Sequence, residues 1–473
     1  MKIDLDAYLA NYIVKAVWQK SIKVLPVNSE TASGYDKRCG MQGTTGEFFR
    51  MLENDGVEPI ENFEESVIHP VIRYLEAQQT MKEEKIKEFS LLLRDVLCVN
   101  GNLNITDVFF LKYLPAVPND ELISPGERKK YKKGQEKLAA YLFSCVADKE
   151  FRLHDERQHN LFFSILKDAI PNSFKQRWDK VDDGYYVLPF IQESFRKDLE
   201  WLLSKEKTVV IKYIHLFLHF YVCYALTQAM VALSAEKCEK IEKPEPFFFV
   251  LDTEKVSVNH DAVIRGWNHV LPKGVLDKLF GLHQALDIAN AILGGKVGFY
   301  PEVLEKLSET PFEDNRKDLE FLLDKYKETE PKRLRRRSTG KHAQTEMNTS
   351  VNSYEEFLQK LKKLCITLQS SDYVPRIRKK VVDIMSCRFL KRGRGHYVLS
   401  LDKEMLIFLV ALMTREVPKN KNMKLESVYK RFNSYGIHFN RGTRQKIEDY
   451  LLKLNILVRK SDSGEAQYVK SIL

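Results

Sequence analysis

The sequence is poor in paired cysteines. It holds seven in 473 residues, an odd number, and none falls in a CxxC spacing. In a chain of this length that pattern implies reduced, mostly buried thiols and a cytosolic (cytoplasmic) protein. The opening residues also lack the uninterrupted apolar core of a signal peptide, because Asp4 and Asp6 fall inside it, which argues against secretion. A clean run of membrane-spanning length is missing as well. The nearest candidate, Val209 to Leu233, is broken by Lys212, His215, His219 and Gln228, each costly in hydrocarbon, so the expectation is a buried helix and no membrane partner.

Several enzyme motifs are absent too. A P-loop needs GxxxxGK[ST], so that backbone N–H groups wrap the phosphates and the lysine reaches the outermost one. Gly294-Gly295-Lys296-Val297 lacks both the upstream glycine and the hydroxyl residue that would hold magnesium. Gly40, Gly43 and Gly46 are followed by no lysine, and are expected to form a turn ahead of a helix at Glu47 to Leu52. His215 and His219 lie one helical turn apart without the glutamate of HExxH, which suits hydrogen-bonded core histidines. His154 and His159 are five apart and diverge around a helix. The run FFFVLDTEK, Phe247 to Lys255, offers a strand followed by Asp252 and Glu254, but its lysine is misplaced for a two-metal nuclease and no second acidic strand accompanies it. No GxSxG elbow or Cys-His signature occurs. No catalytic residue, metal site or cofactor is therefore expected, and a divergent nuclease using Asp252 and Glu254 stands as the enzymatic alternative.

What the chain does have is helical periodicity and an uneven distribution of charge. A hydrophobic content of 44% and a charged content of 30% suit a globular protein of two to four domains and argue against wholesale disorder. Residues 331–473 carry 31 basic and 13 acidic side chains, a net of +18, while residues 1–330 carry 44 and 52, a net of −8. An acidic body with a basic final third points to a polyanion contact in that third. Apolar residues at three- and four-residue spacing (Ile86, Phe89, Leu93 and Leu97; Phe195, Leu199, Leu202 and Leu203) predict helices. The expected organisation is a helical N-terminal region (1–190), a helical central domain with the long aromatic helix (191–330), a basic and polar linker (331–353) and a basic C-terminal domain (354–473). The fold class is mainly α, a multi-helix body with a small α+β winged-helix-like module at 402–473.

That module is read from element order. Asp402 is placed to cap a helix with Met405, Leu406, Leu409, Leu412 and Met413 inward. A second helix spans Leu425 to Ser434 and stops before Gly436, and a third spans Gly442 to Leu454 with Ile447, Tyr450, Leu451 and Leu454 inward. Ile456 to Lys460 and Ala466 to Ile472 then form a hairpin around Ser461 to Gly464. In a winged helix the third helix enters the major groove and the hairpin lies along the backbone. Arg441, Arg444 and Lys446 on that helix and Arg459 and Lys460 on the hairpin are the candidate DNA contacts. Upstream, Arg376, Arg378, Lys379, Lys380, Arg392 and Arg394 join them, since phosphate neutralisation scales with the number of cations presented. Glu448 and Asp449 in the same helix keep open a second possibility, a winged module that binds protein.

The closing segment SDSGEAQYVKSIL, Ser461 to Leu473, resembles the C-terminus of the DptG (DndG) proteins, the G subunits of bacterial phosphorothioation-dependent restriction systems. The preceding RFNSYGIHFNRGTRQKIEDYLLKLNILVRK is similar to that family's last helices, and so are FFFVLDTEKVSVNHDAVIRGWNHV, HLFLHFYVCYALTQ and GEFFRML. The likeness covers the second half of the chain well and the first 190 residues poorly. It implies a cytoplasmic bacterial subunit acting with two partners, the F and H proteins, which carry the ATPase motifs. In such systems the three attack DNA lacking a sulfur-for-oxygen mark and so defend against phage and plasmids. No catalytic residue is carried over. The expected role is scaffold and DNA-backbone contact, and the alternative from another class is an autonomous winged-helix regulator.

Overall fold

The computed structural model describes residues 40–53, 57–79, 81–99, 102–104, 106–117, 123–146, 165–166, 168–170, 188–235, 238–255, 262–267, 275–295, 297–335, 347–369, 374–386, 388–392, 397–418, 421–459 and 467–473. The described residues are 67% helical with a few small sheets, so the chain is mainly α.

The first described helix, α1, spans Gln42–Glu53, and α2 (His69–Ala77) follows a π-type turn at Glu64–Ile68. Next come α3 (Glu83–Leu97), a short hairpin of β1 (Cys98–Val99) and β2 (Asn102–Leu103), and α4 (Pro125–Val146). Helix α5 (Pro189–Leu203) carries its proline in the first turn, where a missing N–H costs no hydrogen bond. The axis of the fold is α6 (Lys207–Ser234), whose apolar window is 94% buried. Lys207, Thr208 and Lys212 are exposed at its start, the rest is apolar and nearly all buried, and its two histidines are hydrogen-bonded as expected. His215 Nδ1 lies 2.7 Å from Thr45 Oγ1, and His219 Nε2 lies 3.1 Å from the Ile384 carbonyl. Burial pushes both imidazoles down to about 4, so they are neutral.

Beyond α6 come α7 (Val275–Ala291), α8 (Tyr300–Leu307), α9 (Phe312–Arg335), α10 (Tyr354–Thr367) and α11 (Val374–Met385). The C-terminal stretch is built from β5 (Leu390–Arg392), β6 (Tyr397–Leu401), α12 (Lys403–Met413), β7 (Asn422–Lys424), α13 (Leu425–Ser434), β8 (Ile437–His438), α14 (Arg441–Lys453), β9 (Leu457–Arg459) and β10 (Gln467–Lys470). Asp402 caps α12 by accepting from the Met405 N–H at 2.7 Å. Three strands form a sheet in the order β7-β10-β9, all antiparallel, so the strand before α13 pairs with the last strand of the chain.

Two strands from the middle of the chain join this stretch. β3 (Phe247–Phe248) pairs in parallel with β8, and β4 (Val250–Leu251) pairs in parallel with β6. One apolar cluster accordingly runs from Met41 to Val469 across the N-terminal, central and C-terminal stretches. Aromatic rings mark the path, from Phe48 to Phe195 at 5.8 Å, Phe195 to Phe217 at 5.0 Å, Phe220 to Tyr435 at 6.2 Å and Tyr213 to Phe408 at 5.4 Å.

Three local expectations change. Gly43 and Gly46 lie inside α1 rather than in a turn before it, because the helix backbone seats directly on the 114–116 segment. A Cβ on Gly43 would meet the Ala116 carbonyl oxygen at 2.1 Å. The basic run that opens the expected linker is helical as far as Arg335. The polar residues after it return along α9: Lys327 donates to the Met347 carbonyl, Thr349 to Asp324, and the Val351 N–H to Glu320. Residues 336–346 lie outside the described residues.

Candidate nucleic-acid interface

Helix α14 begins at an N-cap. Asn440 accepts from the Thr443 N–H at 2.8 Å, which leaves Arg441 exposed on the first turn. Thr443, Ile447 and Leu451 form its inward face, whereas Tyr450 is half-buried and Leu454, at the end of the helix, is exposed rather than inward. The structure brings Arg441, Arg444 and Lys446 together on the first two turns, and among the described residues Arg444 and Lys446 meet carboxylates. Arg444 lays its guanidinium 4.5 Å from the Tyr429 ring, donates from Nε to the Phe439 carbonyl, and comes within 3.4 Å of Glu426. Lys446 is about half exposed and its Nζ sits 3.0 Å from Glu254 Oε2. Arg459 is exposed at the end of β9, where it is paired with Gln467, and Lys460 lies outside the described residues.

The second group of candidate cations lies elsewhere. Arg376, Arg378, Lys379 and Lys380 are on α11, with Arg378 and Lys379 exposed, Lys380 half-buried, and the Arg376 side chain outside the described residues. Arg392 is exposed at the end of β5, and Arg394 is outside the described residues.

The acidic turn after β4, the alternative nuclease site, is engaged within the protein. Glu254 is buried, its Oε1 accepting from the Leu251 N–H at 2.9 Å and its Oε2 facing Lys446. Lys391 donates to the backbone carbonyls of Asp252 and Glu254. Among the described residues no group of three or more His, Cys, Asp or Glu side chains is placed to hold a metal ion.

Two features of the C-terminal stretch were not anticipated. On its inner side Asp198 of α5 is fully buried and accepts from the Tyr221 hydroxyl at 2.5 Å and the Tyr435 hydroxyl at 2.6 Å, while Arg415 stands 2.9 Å from its other oxygen. Burial raises the Asp198 carboxyl to about 6, against the opposing pull of Arg415 and the two hydroxyls. On its outer side Arg265, exposed in a turn at Val263–Trp267, lies 4.3 Å from the Phe248 ring, which in turn lies 5.7 Å from His438. The aromatic run at Phe247 was a signal of something here; its pairing with β8 was not visible, because the partner lies far along the chain.

No protein-family model matches the sequence, and no curated protein matches it.

Proposed function

We propose that this chain is a non-catalytic subunit of a DNA phosphorothioation-dependent restriction complex, contacting the DNA backbone through its C-terminal region and acting with F and H partner proteins in the cytoplasm. The C-terminal region is, on this reading, a winged helix-turn-helix. The observation that carries it is the strand order β7-β10-β9, in which the strand between the first two helices pairs with the second strand of the terminal hairpin, and α14 takes the recognition-helix position. Arg441 and Arg459 are both exposed, on the helix and on the hairpin, where a winged helix meets DNA. The restriction system itself is supplied by the resemblance of the closing segments to the DptG family. Because Arg444 and Lys446 are partly spent on internal partners, the module is read as holding phosphates rather than selecting bases.

Two measurements test this. Purification through a tag on this chain after co-expression with the F and H proteins, washed in high salt to screen surface charge, should yield a stoichiometric complex. Recovery of this chain alone removes the subunit role. For the DNA contact, the double variant Arg441→Ala with Arg459→Ala should lower the slope of log affinity against log salt by about two. An unchanged slope removes the DNA reading. A symmetric dimer with strong preference for one sequence would favour the autonomous regulator instead.

A further inference from the structure

Two arginines and a histidine come near one another beside the head of α14, Arg265 from the middle of the chain and His438 and Arg444 from β8 and the helix that follows it. β3 and β8 pair so that Phe248 stands opposite His438, and the two rings lie 5.7 Å apart. The Arg265 guanidinium lies 4.3 Å from the Phe248 ring. Arg444 reaches back from α14 to the carbonyl of Phe439, the residue after His438. Among the described residues no carboxylate pairs with Arg265 or His438. The helix packed on β8 contributes Glu426, which is 73% exposed and turned to Arg444, and β3 contributes aromatic rings only. Burial, then Arg265 and Arg444, hold the His438 imidazole below the ordinary histidine range. Both guanidinium charges therefore oppose protonation of the imidazole, and an anion beside them offsets that opposition.

We propose that Arg265, His438 and Arg444 form a seat for a phosphodiester group at the head of α14. The seat rests on the DNA reading above and adds to it a contact from the central part of the chain. A phosphate there offsets both guanidinium charges, so His438 takes up a proton as the phosphate binds, and binding strengthens as pH falls.

The test uses the full chain, a fluorescently labelled short duplex and anisotropy titrations at about pH 7.5 and pH 5.5, which bracket the ordinary histidine range. The wild-type chain should bind about tenfold more tightly at the lower pH, the equivalent of a one-unit change at one group. His438→Gln should lose most of that gain, and Arg265→Ala should lower the salt slope by about one. Arg265 is exposed, so its variant is expected to fold, with unfolding midpoints checking both. If the duplex binds while both variants keep the wild-type salt slope and pH response, the DNA reading stands and the seat is overturned. If no duplex binds, the DNA reading fails, and the imidazole NMR titration of His438 with inorganic pyrophosphate decides the seat. An upward move of its midpoint supports a phosphate seat; no move overturns it.

Discussion

Asp198 and His438 are both titratable groups where the C-terminal stretch meets the rest of the chain, and their surroundings are opposite in sign. Asp198 is fully buried and enclosed by two tyrosine hydroxyls and Arg415, so its charge is answered within the protein. His438 is half-buried, faces two arginines, and has no carboxylate against it among the described residues. Only two residues of chain, Gly436 and Ile437, separate Tyr435, which serves the first cluster, from His438, which serves the second. A cluster that neutralises itself works as an anchor; one whose positive groups outnumber its carboxylates among the described residues suits a ligand of the opposite sign.

The comparison is broken most severely from the inner side. Arg415→Ala leaves Asp198 buried beside two hydroxyls and no cation, and should cost about 3–5 kcal/mol in urea unfolding. A loss below about 1 kcal/mol would mean that Arg415 contributes no more than a surface ion pair. Next comes pH. The Asp198 carboxyl, raised to about 6 in the folded protein, binds its proton more tightly than the unfolded chain does. Its contribution is therefore fully present below about pH 4 and falls as pH rises through 6, by a few kcal/mol on the order of two pKa units. The stability difference between wild type and Asp198→Asn should change by that amount over the window, and a constant difference would show that Asp198 titrates as if exposed.

Gly436 links the two clusters. Its φ of +71° lies in the left-handed region, and a Cβ there would meet the Glu245 carbonyl oxygen at 2.4 Å. Gly436→Ala should cost about 2 kcal/mol or more and disturb Tyr435 and His438 together. A thermal melt together with the His438 imidazole signal checks both effects. The smallest effect belongs to the outer side alone: Asn440→Ala removes the α14 cap, for a loss of about 1 kcal/mol. Its unfolding midpoint should drop while the pH response set by Asp198 stays intact.

The helices were legible where one face is buried. Ile86, Leu93 and Leu97 in α3, and Phe195, Leu199 and Leu202 in α5, fall at the spacing that produces such a face, and all six are buried. The Asp402 cap was legible because a short acceptor before an apolar run has one local partner to satisfy. The outer part of the candidate site was legible in Arg441 and Arg459, which stand exposed on the elements expected for them. Arg265 was not, since nothing local distinguishes it from any other surface arginine. Lys446 was read as a free cation because Glu254, its partner, lies on a different element.

Local sequence determined the mainly helical class, the caps and the accumulation of positive charge after residue 330. Each depends on neighbours within a turn or two, or on composition alone. Tertiary structure decided that the strands at Phe247 and Val250 complete sheets begun near residues 437 and 400, and that Gly43 seats a helix against Ala116. It also decided that Asp198 receives Tyr435 while Arg265 stands beside His438. Two-residue strands and single ion pairs have too little local signal to announce themselves; which groups meet is set by how the buried helices pack, a property of the whole chain.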